Sequence, residues 1–525
     1  MKNMNFEGIP ASVIEYINSL EAQIDRLNEL LRLMQKARFG ASSEKAKYIL
    51  DDGLEQLHLF NEAEVYADEK APGPVEVKQH QRKPKRTKEE LAKGLPVVEV
   101  IIDIPELERT CNICEGDLNP IGKELVRREL SIIPEQVYVT ETYQINYACN
   151  DCEKETEQAN IIKPEVPEPV VKRGLASPSS VAYTMYQKYA NAMPLARQEK
   201  NWETFGVKIS RATLANWIIY AATHWLLPLW EALKALLILS PVIMADESVV
   251  QVLKEPGKTP QSESRMWVYC TGNIHSPPII LYEYQPDRAG ENPKRFLAGA
   301  KDFYLHTDGY AGYSKVKSAI HCGCWSHMKR KFSDALPQNA QKDNKAAQGI
   351  AFCDKLFMLE RDFQELSPKE RLKQRHIKSK PIVEEYFAWI ETVNPLAGCK
   401  LAEAITYARN QKGPLSAFLL DGRIEISTNR IENHIRPFAC GRKNWLFADT
   451  VGGAQASAMA YSIIETAKAN GLNPYRYLLH LFTGLPTCLT KDPAADLSQY
   501  FPWTNDIQEK CRNTQGTAGQ LTLIE

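Results

Sequence analysis

Nowhere does the 525-residue sequence hold an apolar run approaching the ~20 residues that a membrane-spanning helix needs. Its first ten residues, Met1 to Pro10, lack the basic-then-apolar order of a secretory leader. An excess of one charge is missing too: 64 Lys and Arg stand against 65 Asp and Glu, a net charge of -1. No global field therefore draws the chain onto nucleic acid, and any such contact has to come from local basic patches. A disulfide framework is also absent. Of 12 cysteines only four fall in a regular spacing, and in a chain without a leader they read as thiols or metal ligands. Together these absences point to the cytoplasm. What is present is 44% hydrophobic residues, enough to fill the cores of several units of ~150 residues each.

The stretch that organises the chain is Pro241 to Glu247, a wholly apolar run ending in Asp246 and Glu247. A strand buried on both faces has this continuous character. Met266 to Thr271 and Pro278 to Tyr284 follow as in a meander. Phe303 to Gly309 then reads as a second strand that runs out at Asp308. Ile320 to Trp325 reads as a further strand, leading into a basic helix around His327 to Ala335. Glu432, in Asn429 to Arg436, is the third acid of interest. Any one of these acids is explained equally well as a cap or an ion-pair partner. Asp246 and Asp308 are less ordinary because each follows an apolar strand, and with Glu432 they make a trio that suits Mg²⁺, which prefers a few carboxylates plus water and substrate phosphate. Two such ions ~4 Å apart support an in-line displacement at phosphorus. Adjacent strand residues point to opposite faces, so only one of Asp246 and its neighbour Glu247 can join Asp308; Asp246 is the expected ligand and Glu247 the alternative. Arg436, one helical turn beyond Glu432, suits either a phosphate or the glutamate itself.

Elsewhere, Val13, Ile17, Leu20, Ile24, Leu27, Leu31 and Met34 alternate steps of four and three. This seam fits a self-associating coiled coil, or one amphipathic helix packed on its own domain. A polar, proline-containing linker follows, and within it Arg82, Lys83, Lys85 and Arg86 form a basic run. The run reads as solvated surface or as a flexible arm on DNA phosphates. Cys111 and Cys114, then Cys149 and Cys152, make two CxxC knuckles around a strand-rich segment. Four thiolates close a tetrahedral structural zinc site, against the alternative of unrelated free cysteines. From Leu195 the pattern is helix, a turn at Gly206, and a helix capped by Ser210 that presents Arg211, Thr213 and Asn216. That layout fits a DNA-reading helix-turn-helix or an ordinary helical hairpin. Between Asp308 and Glu432 lies a long helical stretch, read as an insertion in the sheet domain.

Several of these strings resemble the insertion-sequence-66 family of DDE transposases. Ala245-Asp246-Glu247-Ser248 with Val250, and Thr307-Asp308-Gly309-Tyr310 with Gly312-Tyr313, are similar to its two aspartate blocks. Cys324-Trp325-Ser326-His327-Met328-Lys329-Arg330-Lys331-Phe332 is similar to its Cys-Trp-x-His-x-Arg-Arg-x-Phe stretch. Asn429-x-x-Glu432-x-x-Ile435-Arg436-Pro437, followed by Gly441 to Trp445, looks like its glutamate block. Phe39 to Lys45, the paired CxxC and Pro194 to Glu199 match in the same order. The chain departs from the pattern at Ser427-Thr428 (often Asp-Asn), Asn433 (often Arg), Lys329 (usually Arg) and Ala196 (usually Tyr). None of these removes an acid.

The resemblance implies a multidomain α+β protein whose catalytic domain is RNase H-like. It implies Asp246, Asp308 and Glu432 as catalytic ligands of Mg²⁺ or Mn²⁺. With the patterns above it sets a coiled coil over 1–45, a linker over 46–97, a zinc-finger-like domain over 98–165 and a helix-turn-helix-like region over 170–235. The catalytic core then covers 238–335 and 423–470, interrupted by the helical insertion over 336–422, and a C-terminal domain and tail cover 471–525. Lys329, Arg330, Arg436, Arg442 and Lys443 join the basic run and the helix-turn-helix residues as candidate DNA contacts. The implied function is a bacterial transposase that binds terminal inverted repeats and cuts and joins DNA. It would act as a homodimer or larger oligomer at the nucleoid, with accessory proteins of the same element. A non-catalytic zinc-dependent DNA-binding regulator, and an RNase H-like nuclease without strand transfer, are the competing readings.

Overall fold

A computed structural model describes residues 136–145, 147–149, 160–162, 164–272, 277–337 and 344–512, together with residue 23. The heptad seam (residue 23 apart), the basic run Arg82 to Arg86, Cys111, Cys114, Cys152 and the side chain of Cys149 lie outside the described residues. The chain divides into two units, 68–165 with 512–525, and 1–67 with 166–511. In the first, β1 (Tyr147–Cys149) pairs antiparallel with β2 (Asn160–Ile162).

The larger unit begins with helices. Ser177 and Ser180 form a reciprocal capping box at the start of α1 (Pro178–Tyr189). Next come α2 (Leu195–Thr204), α3 (Arg211–Ala221) and α4 (Leu227–Leu237), the last two joined by a π-helical turn. Gly206 takes φ +79° in the turn before α3, a conformation natural to glycine. The Ser210 side chain accepts from the Thr213 N–H, as the sequence leads one to expect. Arg211, Thr213 and Asn216 are exposed, whereas Leu214, Trp217 and Ile218 are buried in the same core as the sheet.

A mixed sheet follows, in the order β5-β4-β3-β6-β7. Strands β3 (Val242–Lys254), β4 (Glu263–Thr271) and β5 (Ile280–Gln285) form an antiparallel meander. After the short helix α5 (Glu291–Phe296), β6 (Phe303–His306) and β7 (Ala319–Cys322) add parallel to β3. This arrangement, with helices packed on it, is an RNase H-like α/β fold. One expectation needs correction: Asp246 and Glu247 do not end their strand. β3 continues to Lys254, because Ser248, Val250 and Val252 alternate buried with less buried neighbours. The apolar run marks only the part of the strand covered on both faces.

Helices α6 (Trp325–Ala335), α7 (Lys345–Asp362), α8 (Pro368–Gln374), α9 (Lys380–Thr392), α10 (Lys400–Asn410) and α11 (Lys412–Ser416) come between β7 and the glutamate helix. They build a second apolar core around Trp325, Phe332, Tyr386 and Phe418. The glutamate helix is α12 (Asn429–Trp445), followed by β8 (Ala448–Thr450), which pairs with the far end of β3. Helices α13 (Val451–Ala469), α14 (Pro474–Lys491) and α15 (Asn505–Cys511) complete the unit. Alanines on α13 let it lie close to the sheet. The Ser462 hydroxyl accepts from the N–H of Tyr282 at 2.7 Å, and that of Thr466 from the N–H of Ile280 at 3.0 Å. Hydroxyls from a helix thus occupy backbone groups on edge strand β5 that would otherwise be open to another chain.

Candidate active site

Strand register brings the two aspartates together. Met244 on β3 is level with His306 on β6, in parallel. Asp246 and Asp308 each lie two residues further on, so they leave neighbouring strands at one height. Gly309 turns the chain immediately afterwards at φ +93°, where a side chain would also crowd Gln411 and Tyr407. The Asp308 carboxylate accepts from the N–H of Tyr310 at 2.8 Å, and its backbone carbonyl accepts from the Tyr407 hydroxyl on α10 at 2.8 Å. The helical stretch between β7 and α12 therefore reaches back to hold the second aspartate.

Asp246 and Glu247 have different surroundings. The Glu247 carboxylate, with 3% of its side chain exposed, accepts from Arg288 Nε at 2.6 Å and from the Tyr313 hydroxyl at 2.7 Å. Asp246 accepts from the N–H of Glu247 at 2.8 Å. Burial, then the charges of Glu247 and Asp308, hold its carboxyl well above the usual carboxylate range, with His327 acting in the opposite direction. A carboxylate crowded by two others, with no salt-bridged cation among the described residues comparable to Arg288, is relieved by a divalent cation. The oxygen donors of Asp246, Asp308 and Glu432 have the chemistry such an ion prefers.

Glu432 enters from the first turn of α12, its N–H bonded to the Thr428 carbonyl at 3.1 Å. Across from it, α6 presents His327 Nε2 at 3.9 Å and Arg330 Nη2 at 3.7 Å, two residues one turn apart. His327 is the common neighbour of the site, since its charge also acts on Asp246 and Asp308 acts on it. Burial alone would lower its basicity. Contact with Cys324 and the charges of Glu432 and Asp308 outweigh that and raise its pKa to about 9. Burial likewise favours the neutral Cys324 thiol, but His327 and donors from Thr428 bring it below the ordinary thiol range.

Residues 173–456, more than half of the chain, match the family described as "Transposase IS66 family". The chain belongs to that family. Residues 108–153 match its zinc-finger binding domain, 462–503 its C-terminal element, and 26–100 a family described as "Transposase C of IS166 homeodomain". Relatives in Sinorhizobium fredii include the uncharacterized protein y4qI, 29% identical over 511 residues, 92% of this chain and 90% of the relative. The uncharacterized protein y4jD is 30% identical over 405 residues, covering 74% of this chain and 76% of its own length. Membership in this DDE transposase family implies a DNA-binding phosphoryl-transfer enzyme that uses a divalent metal. Among the described residues no helix is long and apolar enough to cross a membrane.

The remaining candidate DNA contacts differ in their surroundings. Lys329 pairs with Asp354 at 2.6 Å, and Arg330 faces Glu432. Arg442 is half-buried and donates to the carbonyl of Val249, tying α12 to β3. Lys443 is exposed and Arg436 half-buried. Sequence reasoning did not single out Arg288 or Tyr407 as supports for the acids, and no spacing signals them, whereas Tyr313 stood in the aspartate block without a role assigned to it. Cys324 and His327 did carry a signal, in the Cys-Trp-x-His string that the family shares.

Proposed function

We propose that the chain cuts the ends of its own mobile element and joins the freed 3′-hydroxyls to target DNA, using Asp246, Asp308 and Glu432 as its metal ligands. What supports this reading is the level register of Asp246 and Asp308 on adjacent strands, together with His327, which faces Glu432 at 3.9 Å and whose charge also couples to both aspartates. When bound, divalent metal would activate the attacking oxygen and stabilise the leaving one. The chain's own residues orient that chemistry. Tyr310 and Tyr407 fix Asp308, Arg288 and Tyr313 hold Glu247 aside, and α6 sets the place of Glu432. Arg211, Thr213 and Asn216, the basic run and Lys443 would contact the inverted repeats, and the heptad seam would join two or more copies.

The test is incubation of the full chain with element-end DNA and a target plasmid in Mg²⁺. Cleaved ends covalently joined to the plasmid are expected, and chelation with EDTA should abolish both steps. Cleaved ends that never join would instead assign a nuclease. Binding without cleavage in any divalent metal would assign a non-catalytic regulator.

The zinc-finger match spans all four knuckle cysteines, which supports Cys111, Cys114, Cys149 and Cys152 as one tetrahedral site. About one zinc per chain is expected on metal analysis. A Cys111→Ser protein should lose that zinc and its preference for element ends while the sheet unit melts unchanged. Zinc-free protein purified without chelators would sink the idea.

A further inference from the structure

Thr428 stands at the N-cap of α12 yet makes no side-chain bond to the helix N–H groups, the usual work of threonine there. Its hydroxyl lies 3.2 Å from Cys324 Sγ and 3.3 Å from Glu432 Oε1, so it stands between thiol and carboxylate. Its backbone N–H donates to the same sulfur at 3.2 Å. Cys324 is fully buried and is itself the N-cap of α6. A second tie runs alongside, from the N–H of Trp325 to the carbonyl of Ile426 at 3.1 Å. The starts of α6 and α12 are therefore joined at the Cys324 sulfur, with the hydrogen bond between Trp325 and Ile426 beside it. Glu432 is a single turn beyond that joint.

Cys324, His327 and Glu432 each offer a donor atom within 4.8 Å of the others, a set that a soft metal would also fit. The sulfur already accepts from Thr428, which favours a hydrogen-bonded hub over a ligand. We propose that Cys324 is a positioning residue. Its thiol locks the start of α12 to the start of α6 and so decides where the Glu432 carboxylate stands relative to Asp246 and Asp308. This inference rests on the reading of Glu432 as a metal ligand. A sulfur suits the task because its long bond and diffuse lone pairs reach two donors at once, where the shorter reach of a serine oxygen would not.

The experiment uses the full chain with Cys324→Ala, Thr428→Val and the double substitution. It reads the half-saturating Mg²⁺ concentration from a calorimetric metal titration of each folded protein without DNA and from end cleavage, and, separately, the cleavage rate at saturating Mg²⁺. Each single variant should raise the half-saturating Mg²⁺ about tenfold, as loss of an outer-shell contact does, with the saturated rate much less affected. The double variant should be no worse than the poorer single one, because both remove one joint. An unshifted Mg²⁺ requirement in folded variants, or effects that multiply in the double, would overturn the inference. Thr428→Val conserves volume and carries the test if Cys324→Ala does not fold. A Glu432→Gln protein that still cleaves would remove the underlying reading. A dead Glu432→Gln protein beside variants with an unshifted Mg²⁺ requirement would remove this inference alone.

Discussion

Asp246→Asn, Asp308→Asn and Glu432→Gln should each abolish end cleavage while leaving binding to terminal-repeat DNA largely intact. The loss expected is several orders of magnitude in rate, at least ~4 kcal/mol at ~1.4 kcal/mol per decade. An amide keeps the shape of the carboxylate but not the negative charge that holds two cations close together. Binding should survive because the three acids are not among the proposed DNA contacts, all of which except Lys443 precede Asp246 in the chain. Glu247 is the informative control. Its carboxylate is already engaged by Arg288 and Tyr313, so Glu247→Gln should lose no more than about tenfold, as an outer-shell change does. Single-turnover cleavage of element-end DNA reads both. A dead Glu247→Gln protein beside an active Asp246→Asn protein would move the ligand to the neighbouring residue.

The second large effect concerns stability. Arg375 is fully buried in the π-helical turn between α8 and α9. Its guanidinium meets both oxygens of Glu360, at 2.8 and 2.6 Å. It also donates to the carbonyls of Phe418, Asp421 and Ile424 at 2.8 to 3.0 Å. These carbonyls belong to the segment that leads into α12, so one side chain anchors the approach to Glu432. Arg375→Met should cost ~3–5 kcal/mol, since it strands a nearly buried carboxylate and leaves three carbonyls without this donor. Arg375→Lys should recover only a minor part, because an ammonium retains the charge but not the planar fork that reaches both Glu360 and the carbonyls. Denaturant unfolding of the three proteins measures this. A loss below ~1 kcal/mol for Arg375→Met would show that the ion pair barely exceeds its desolvation cost.

Much of the fold class was legible along the chain. Apolar runs are dictated by burial on both sides of a sheet, so β3, β4, β5 and β6 announced themselves, and Ser210 marked a helix start through its capping chemistry. Asp246 and Asp308 stood out for the same local reason, each following such a run. Where β3 ends was misjudged, because only its first half is covered on both faces and the second half alternates. Other features depend on residues far apart in sequence and leave no periodic trace. The level register of Asp246 with Asp308 follows from β3–β6 pairing. The closing of edge strand β5 by Ser462 and Thr466, and the grip of Arg375 on the segment before α12, are set by packing between distant elements. The joint of Cys324 with Thr428 exists only once two helices start side by side. By itself the sequence determined the strands, the caps and the family, since these are written in local pattern and motif. Tertiary structure alone decided which carboxylate is engaged and which is left crowded, because charge and desolvation act through space between groups that the chain holds far apart.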